Sequence, residues 1–264
     1  MSNLFDTFRN ETPPDPIAQA ERRIDRAPQR KRFYAEAGVL AGPDGFGLVL
    51  DGKSVRTPGR RLLAAPHRAI AEAMAAEWAA QVDTIAPETM PVTRLGNSVL
   101  DGVAERMGAV ADDVVKYAGT DLICYRAGHP DGLVARQAEH WDPVVYWAAD
   151  ALGANFILAE GIVHAAQTEC TLTAVRSALS SDPWALASVH LVTTITGSAL
   201  LALALAHGAR DADAVWTAAH VDEDWNIGQW GADDEAMVRR AAARRDFDAA
   251  ALVLSAMRQS EPAG

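Results

Sequence analysis

The chain has 264 residues, 49% of them hydrophobic and 22% charged, with a formal net charge of -11. This is the balance of a folded protein with a substantial core, tilted towards helix by its alanine content, and it argues against wholesale disorder. The acidic excess speaks against a general nucleic-acid binder and against an anionic membrane surface, because both are bound mainly through Lys and Arg.

Residues 1 to 30 hold Pro13, Pro14, Pro16 and Pro28 and read as a partly extended arm. A basic run follows through it: Arg22, Arg23, Arg26, Arg30, Lys31 and Arg32. From Arg32 to Ala65, short β-like runs alternate with Gly42-Pro43-Asp44-Gly45, Asp51-Gly52 and Pro58-Gly59, which spells a meander. Asp51-Gly52 is the strongest hairpin signal, since both residues tolerate positive φ. Gly42, Gly45 and Gly47 are turn glycines, because neither a helix nor a Gly-Lys-Ser/Thr ending follows them.

A helix is predicted over 67–82, with Ile70, Met74, Ala75 and Trp78 on one face. Pro87 and Pro91 then force an extended connection, after which Thr93 is the expected cap of a helix carrying Leu95, Val99 and Leu100. Another helix covers Met107 to Tyr117, and Leu122 to Tyr125 reads as a short strand able to join the meander. Beyond the Gly128–Gly132 cluster the pattern is helical, apart from a strand-like Asn155 to Leu158. Helices are expected at 133–151, 168–180, 184–207, 211–228 and 233–258, with loops suited to antiparallel packing. The apolar stretch Leu191 to Ala206 is shorter than a membrane span and reads as a core helix. The fold class is therefore α+β, a small β-rich N-terminal domain followed by a multihelical C-terminal one. The expected division is a basic arm at 1–30, a β-meander and helices at 31–130, and a helical domain at 131–264.

The usual catalytic constellations are missing. No His-Glu-x-x-His or Cys-x-x-Cys occurs, and Ser198 lacks the second glycine of a nucleophile elbow. Cys124 and Cys170 stand far apart and are expected as buried thiols, with a single disulfide as the alternative. Asp101 and Asp121 suit turn or strand-edge roles, and Asp142 precedes Pro143 at an expected helix start. Trp141 and Trp147 are read as packing residues. An enzyme reading would need a pocket between the two domains around His140, Asp142 and Asp121.

The segment Val221 to Gly231, VDEDWNIGQWG, stands out. At helical spacing Trp216, Ala219, Glu223, Ile227 and Trp230 share a stripe, which puts a carboxylate where periodicity asks for an apolar residue. Either Glu223 is a buried acid that accepts from an internal Arg or from backbone groups, or this is an acidic, aromatic contact surface offered to a partner protein.

Several segments together resemble the F1-ATPase assembly chaperones that act on the alpha subunit. They are KRFY at Lys31 to Tyr34, LDGKSVRTP at Leu50 to Pro58, EWAAQVDTIAPETMPVTRLGNSVLD at Glu77 to Asp101, and TDLICYRA at Thr120 to Ala127. The stretch from Gln137 to Pro143, GSALLALALAHG at Gly197 to Gly208, and VDEDWNIGQWG continue the match. The resemblance implies a two-part protein that is not an enzyme and needs no metal or cofactor. It implies binding of newly made alpha subunit, shielding of the surface that later faces beta, and release without nucleotide hydrolysis. It also implies a functionally important acid in the last segment, for which Glu223 aligns best. Asp222 and Asp224 would supply flanking charge, and Trp225 and Trp230 aromatic contact. Where the family pattern leads one to expect a third glutamate and an aromatic followed by Gln-Ile, this chain has Asp224, Trp225 and Asn226, so side-chain reach is shorter. The N-terminus shows no presequence pattern and starts acidic, which favours a bacterial, cytoplasmic member. The protein is separately expected to be monomeric when free and not inserted in a membrane.

Overall fold

The computed structural model describes residues 30–43, 45–161 and 163–259. Apart from Arg30, the expected arm lies outside the described residues, as does Asp44 of the first turn. Arg32 belongs to the folded body rather than to an arm. Its guanidinium donates to the carbonyls of Tyr34, Ala35 and Gln81 and lies 4.9 Å over the Tyr34 ring.

The meander forms as the turn chemistry demands. Strands β1 (Ala37–Gly42) and β2 (Gly45–Leu50) pair antiparallel, in register from Ala37↔Leu50 to Gly42↔Gly45. Asp51 and Gly52, both at positive φ, then turn the chain into β3 (Lys53–Ser54). Strand β4 (Ala64–Ala65) pairs with the other end of β2. Alternation sets the faces: Leu48 and Leu50 of β2 point into the core, where they meet helix α1 (Arg68–Ala79) through Ile70, Ala71 and Met74.

Helices α2 (Pro91–Asp101) and α3 (Met107–Ala118) follow and pack against the later helices. Thr93 lies inside the first turn of α2 and is not its cap. The capping oxygens come from Glu77 of α1, which accepts from the amides of Val92 and Thr93.

The predicted strand at Leu122–Tyr125 is instead a 3-10 turn (Leu122–Cys124) followed by β5 (Tyr125–Arg126). β5 does not join the meander. It pairs in parallel with β6 (Ala159–Glu160), slightly beyond the strand expected at Asn155–Leu158.

Helix α4 (Asp131–Leu152) is continuous through Pro143, so Asp142 sits mid-helix and not at a start. α5 (Glu169–Ser177) begins with Thr168, whose hydroxyl accepts from the Thr171 amide. Two helices read from the sequence as single are each broken. α6 (Pro183–Thr196) and α7 (Ala199–Ala206) part at Gly197, which is left-handed at φ 69°, and at Ser198, whose side chain caps α7 by accepting from Leu201. α8 (Ala212–Ala219) and α9 (Val221–Trp230) part at His220. The last helix is α10 (Asp234–Arg258).

One hydrophobic core runs from Leu48 to Ala256, with α7 at its centre. Every residue from Ala199 to Leu205 is buried, and each of its leucines contributes about 2 kcal/mol relative to exposure. α6 and α10 pack against each other and around α7. Cys124 is buried, and desolvation together with nearby Asp121 pushes its thiol up to about 12. Cys170, expected to be buried, is exposed.

Candidate functional site

The break at His220 decides how the acidic segment is displayed. Its Nδ1 lies 2.7 Å from the Trp216 carbonyl, its ring stacks on the Trp216 indole at 4.0 Å, and its amide donates to Thr217 in a tightened last turn. The chain then restarts as α9 after His220, whose ψ of 17° is not helical, so the stripe expected to join Trp216 to Trp230 is interrupted. Trp216 is 8% exposed and packs edge-on to Phe247, whereas Trp230 is 86% exposed.

The three acids fill the first turn of α9, where the helix dipole favours negative charge. Asp222 accepts from Gln137 Nε2 at 2.7 Å. Gln137 is buried and its Oε1 accepts from the Ala127 amide, so this one side chain ties α9 to the end of β5. Asp224 accepts from Arg240 Nη1 of α10 at 2.5 Å, and this bond raises the guanidinium pKa. Glu223 differs from both. Its Oε2 lies 3.7 Å from Arg240 and 3.8 Å from His220 Nε2, it accepts no hydrogen bond among the described residues, and its side chain is 41% exposed. The carboxylate is thus anchored electrostatically on one side and open to solvent on the other.

Aromatic surroundings complete the site. Trp225 is half-buried, its ring lying so close to Gly132 of α4 that a Cβ there would fall 2.8 Å away. Trp230 closes α9, and Met237 and Val238 on the first turns of α10 are exposed as well. Arg240, His220 and Gln137 carry no local signal that links them to the acids. Two of them are more than a dozen residues away, and the Arg-rich run from Arg239 to Arg245 was the one available hint.

Comparison with known proteins bears on this arrangement. A family model described as ATP12 chaperone protein matches residues 31–149. A candidate chaperone from Agrobacterium tumefaciens is 44% identical, with 93% of this chain and 92% of that one aligned and a TM-score of 0.83. Atp12 from Paracoccus denitrificans is 36% identical over 87% of this chain and 99% of its own, at a TM-score of 0.80. A point mutant of that Paracoccus protein matches at 35% identity, over 87% of this chain and 98% of its own, also at a TM-score of 0.80. The chain belongs to the ATP12 chaperone family.

In this ATP12 family member two of the three groups of the enzyme reading, Asp121 and Asp142, serve separate structural ends. Asp121 is fully buried and accepts from the amides of Ile123 and Leu200, at 3.2 and 3.0 Å. Burial pushes its carboxyl up to about 6 against the pull of those bonds and of Ser198. Asp142 accepts from Arg126 Nη1 at 2.7 Å. His140 lies half-buried on α4. A shallow depression of about 600 Å³ is lined by Pro143, Tyr146, Trp147, Ala149 and Asp150, and none of the three groups reaches it. Trp141 is a packing residue, fully buried, with its Nε1 donating to the Ala218 carbonyl at 2.7 Å. Among the described residues no helix is long and apolar enough to cross a membrane.

Proposed function

We propose that this chaperone binds the F1-ATPase alpha subunit during ATP synthase assembly, with Glu223 as its recognition carboxylate. It covers the alpha surface that later faces beta and gives it up during assembly without hydrolysing nucleotide. Masking is a sufficient physical task, since an uncovered apolar interface is an aggregation hazard. The observation that carries the reading is the state of the acidic turn. Asp222 and Asp224 are spent on Gln137 and Arg240, while Glu223 keeps an unbonded, half-exposed carboxylate on the helix that exposed Trp230 ends, seven residues on. Aromatic anchors beside a fixed charge are a common hot-spot composition. Asp222, Asp224 and Trp225 hold α9 in place, and Glu223 and Trp230 face the partner. The protein acts without a cofactor, as a monomer in the bacterial cytoplasm.

The test is light scattering of refolding alpha subunit with no nucleotide added. The parent protein is expected to suppress aggregation, and Glu223→Lys to weaken suppression while its circular dichroism and unfolding midpoint stay near those of the parent. Full suppression by a folded Glu223→Lys protein would remove Glu223 from the site. Failure of the parent to suppress, or to recover any ATP synthase subunit in a pull-down, would remove the alpha subunit as partner.

A further inference from the structure

A second charged surface is built by the hairpin between β3 and β4. From Lys53 to Arg68 the chain carries five cationic side chains, Lys53, Arg56, Arg60, Arg61 and Arg68, and no carboxylate, in a protein of net charge -11. Two of the five have acidic partners: Arg61 pairs with Glu105, and Arg68 lies 3.7 Å from Glu72. Lys53, Arg56 and Arg60 are exposed and form no ion pair among the described residues. The Arg56 guanidinium donates to the Arg60 carbonyl at 2.8 Å and so stands over the tip of the hairpin.

This hairpin is held firmly. Arg56 bridges to Leu62, the Thr57 amide donates to Arg61, and the Arg60 amide donates back to Thr57. From the last residue of α2, Asp101 accepts from the Thr57 hydroxyl at 2.6 Å and from the Gly59 amide at 2.7 Å. A Cβ on Gly59 would fall 2.5 Å from that carboxylate, so a larger residue there would have to displace Asp101 from these bonds. The next residue, Arg60, sits at φ 67°, a conformation ordinarily left to glycine or asparagine. Within the chain an arginine gains nothing there, since its side chain has no partner among the described residues. Two exposed arginines on a fixed backbone, one spending a single N–H on the chain and the other none, are suited to an anion supplied from outside.

We propose that the Val55–Leu63 hairpin docks a carboxylate-rich segment of a protein partner, gripped by Arg56 and Arg60, with Lys53 adding longer-range attraction. Charge complementarity selects the occupant. A nucleic acid extends over more of the surface than this hairpin and meets the repulsion of the whole chain, whereas a short acidic segment meets the hairpin alone. Leu62, exposed beside Arg61, gives such a segment an apolar contact. The surface is independent of which protein the acidic turn binds.

The test titrates the full-length chain with a fluorescein-labelled peptide of alternating glutamate and leucine, followed by anisotropy at low and at physiological salt. Binding that weakens with salt is expected, and the Arg56→Ala/Arg60→Gly double variant should lose about tenfold or more in affinity. Arg60→Gly alone should bind more weakly while its thermal midpoint stays at or above the parent's, which separates lost recognition from lost folding. Glu223→Lys should leave the peptide affinity undiminished. Unchanged affinity in the double variant, or no binding by the parent, would overturn the proposal. So would tighter binding of a single-stranded oligonucleotide of equal charge, or a dimer of the free chain that these substitutions disperse.

Discussion

Glu77, near the end of α1, caps a helix to which it does not belong. Its two oxygens accept from the amides of Val92 and Thr93 at 2.6 and 2.8 Å, the first free donors of α2 after Pro91. The helix has no capping side chain of its own, so one carboxylate from α1 satisfies its first free amides and ties the two helices together. Burial raises the pKa of this carboxyl, and its bonds to Thr93 and Val92 and the Arg94 charge pull it back. Glu77→Gln is expected to cost about 1–2 kcal/mol, because an amide cannot accept through both of its ends. Urea unfolding measures this, and a midpoint equal to the parent's would show that the cap contributes nothing.

Asp121 supplies a pH dependence. Its folded pKa of about 6 lies above the ordinary value of 3.8, so as pH falls the folded protein takes up this proton before the unfolded chain does. The resulting stabilisation is complete below about pH 4 and is lost as pH rises through about 6, with a ceiling of about 3 kcal/mol for this one group. Glu77 and Asp246, also raised by burial, act in the same direction, so the informative quantity is the difference between variant and parent. Asp121→Asn should flatten the stability profile between about pH 4 and 6. At neutral pH two effects oppose each other, because the neutral amide escapes the burial penalty of the carboxylate while one of the Ile123 and Leu200 amides loses its acceptor, so the net change there should be smaller than the loss below about pH 4. Denaturant titrations at several pH values in that window give both readings, and parallel profiles for variant and parent would exclude the effect.

Neighbouring acids in α9 should differ in how much stability they carry. Asp224 holds Arg240, whose side chain is only 15% exposed, so Asp224→Ala leaves a mostly buried guanidinium without its hydrogen bond and should cost about 1–3 kcal/mol. Glu223 makes only long contacts at a half-exposed position, and Glu223→Gln should cost less than about 1 kcal/mol. Equilibrium unfolding of the two variants side by side decides it. Equal losses would mean that Glu223 is structural and that its exposure is incidental.

Much of the fold is legible in residue pattern, and the exceptions have physical causes. The turn at Asp51-Gly52, the helices α1, α3 and α10, and the strand alternation of β2 all follow from local chemistry. The break between α6 and α7 hides in an apolar run, although Thr196-Gly197-Ser198 carries both a left-handed stop and a cap. The break at His220 has no such signal, because it depends on that ring bonding and stacking on Trp216. β5 and β6 are two residues each, too short for any period to show. At the site the acids and tryptophans are visible in sequence. The selection of Glu223 is not, because it depends on Gln137 and Arg240 from other helices having already taken Asp222 and Asp224.

Gly45 is where two demands on one residue can be separated. It opens β2 at φ 104°, and a Cβ there would lie 2.4 Å from the Ala65 carbonyl oxygen of β4, a backbone atom that cannot swing aside. Gly52, in the next turn, shares the positive φ but has nothing within 4 Å of the corresponding position. Gly52→Ala therefore carries backbone strain alone, about 1 kcal/mol. Gly45→Ala adds a collision that must push β4, and with it the entry to α1, away from β2, for a total on the order of 2–4 kcal/mol. Thermal unfolding of both variants should rank them in that order. If they lose stability equally, the close approach of β2 to β4 is not what requires glycine at this position.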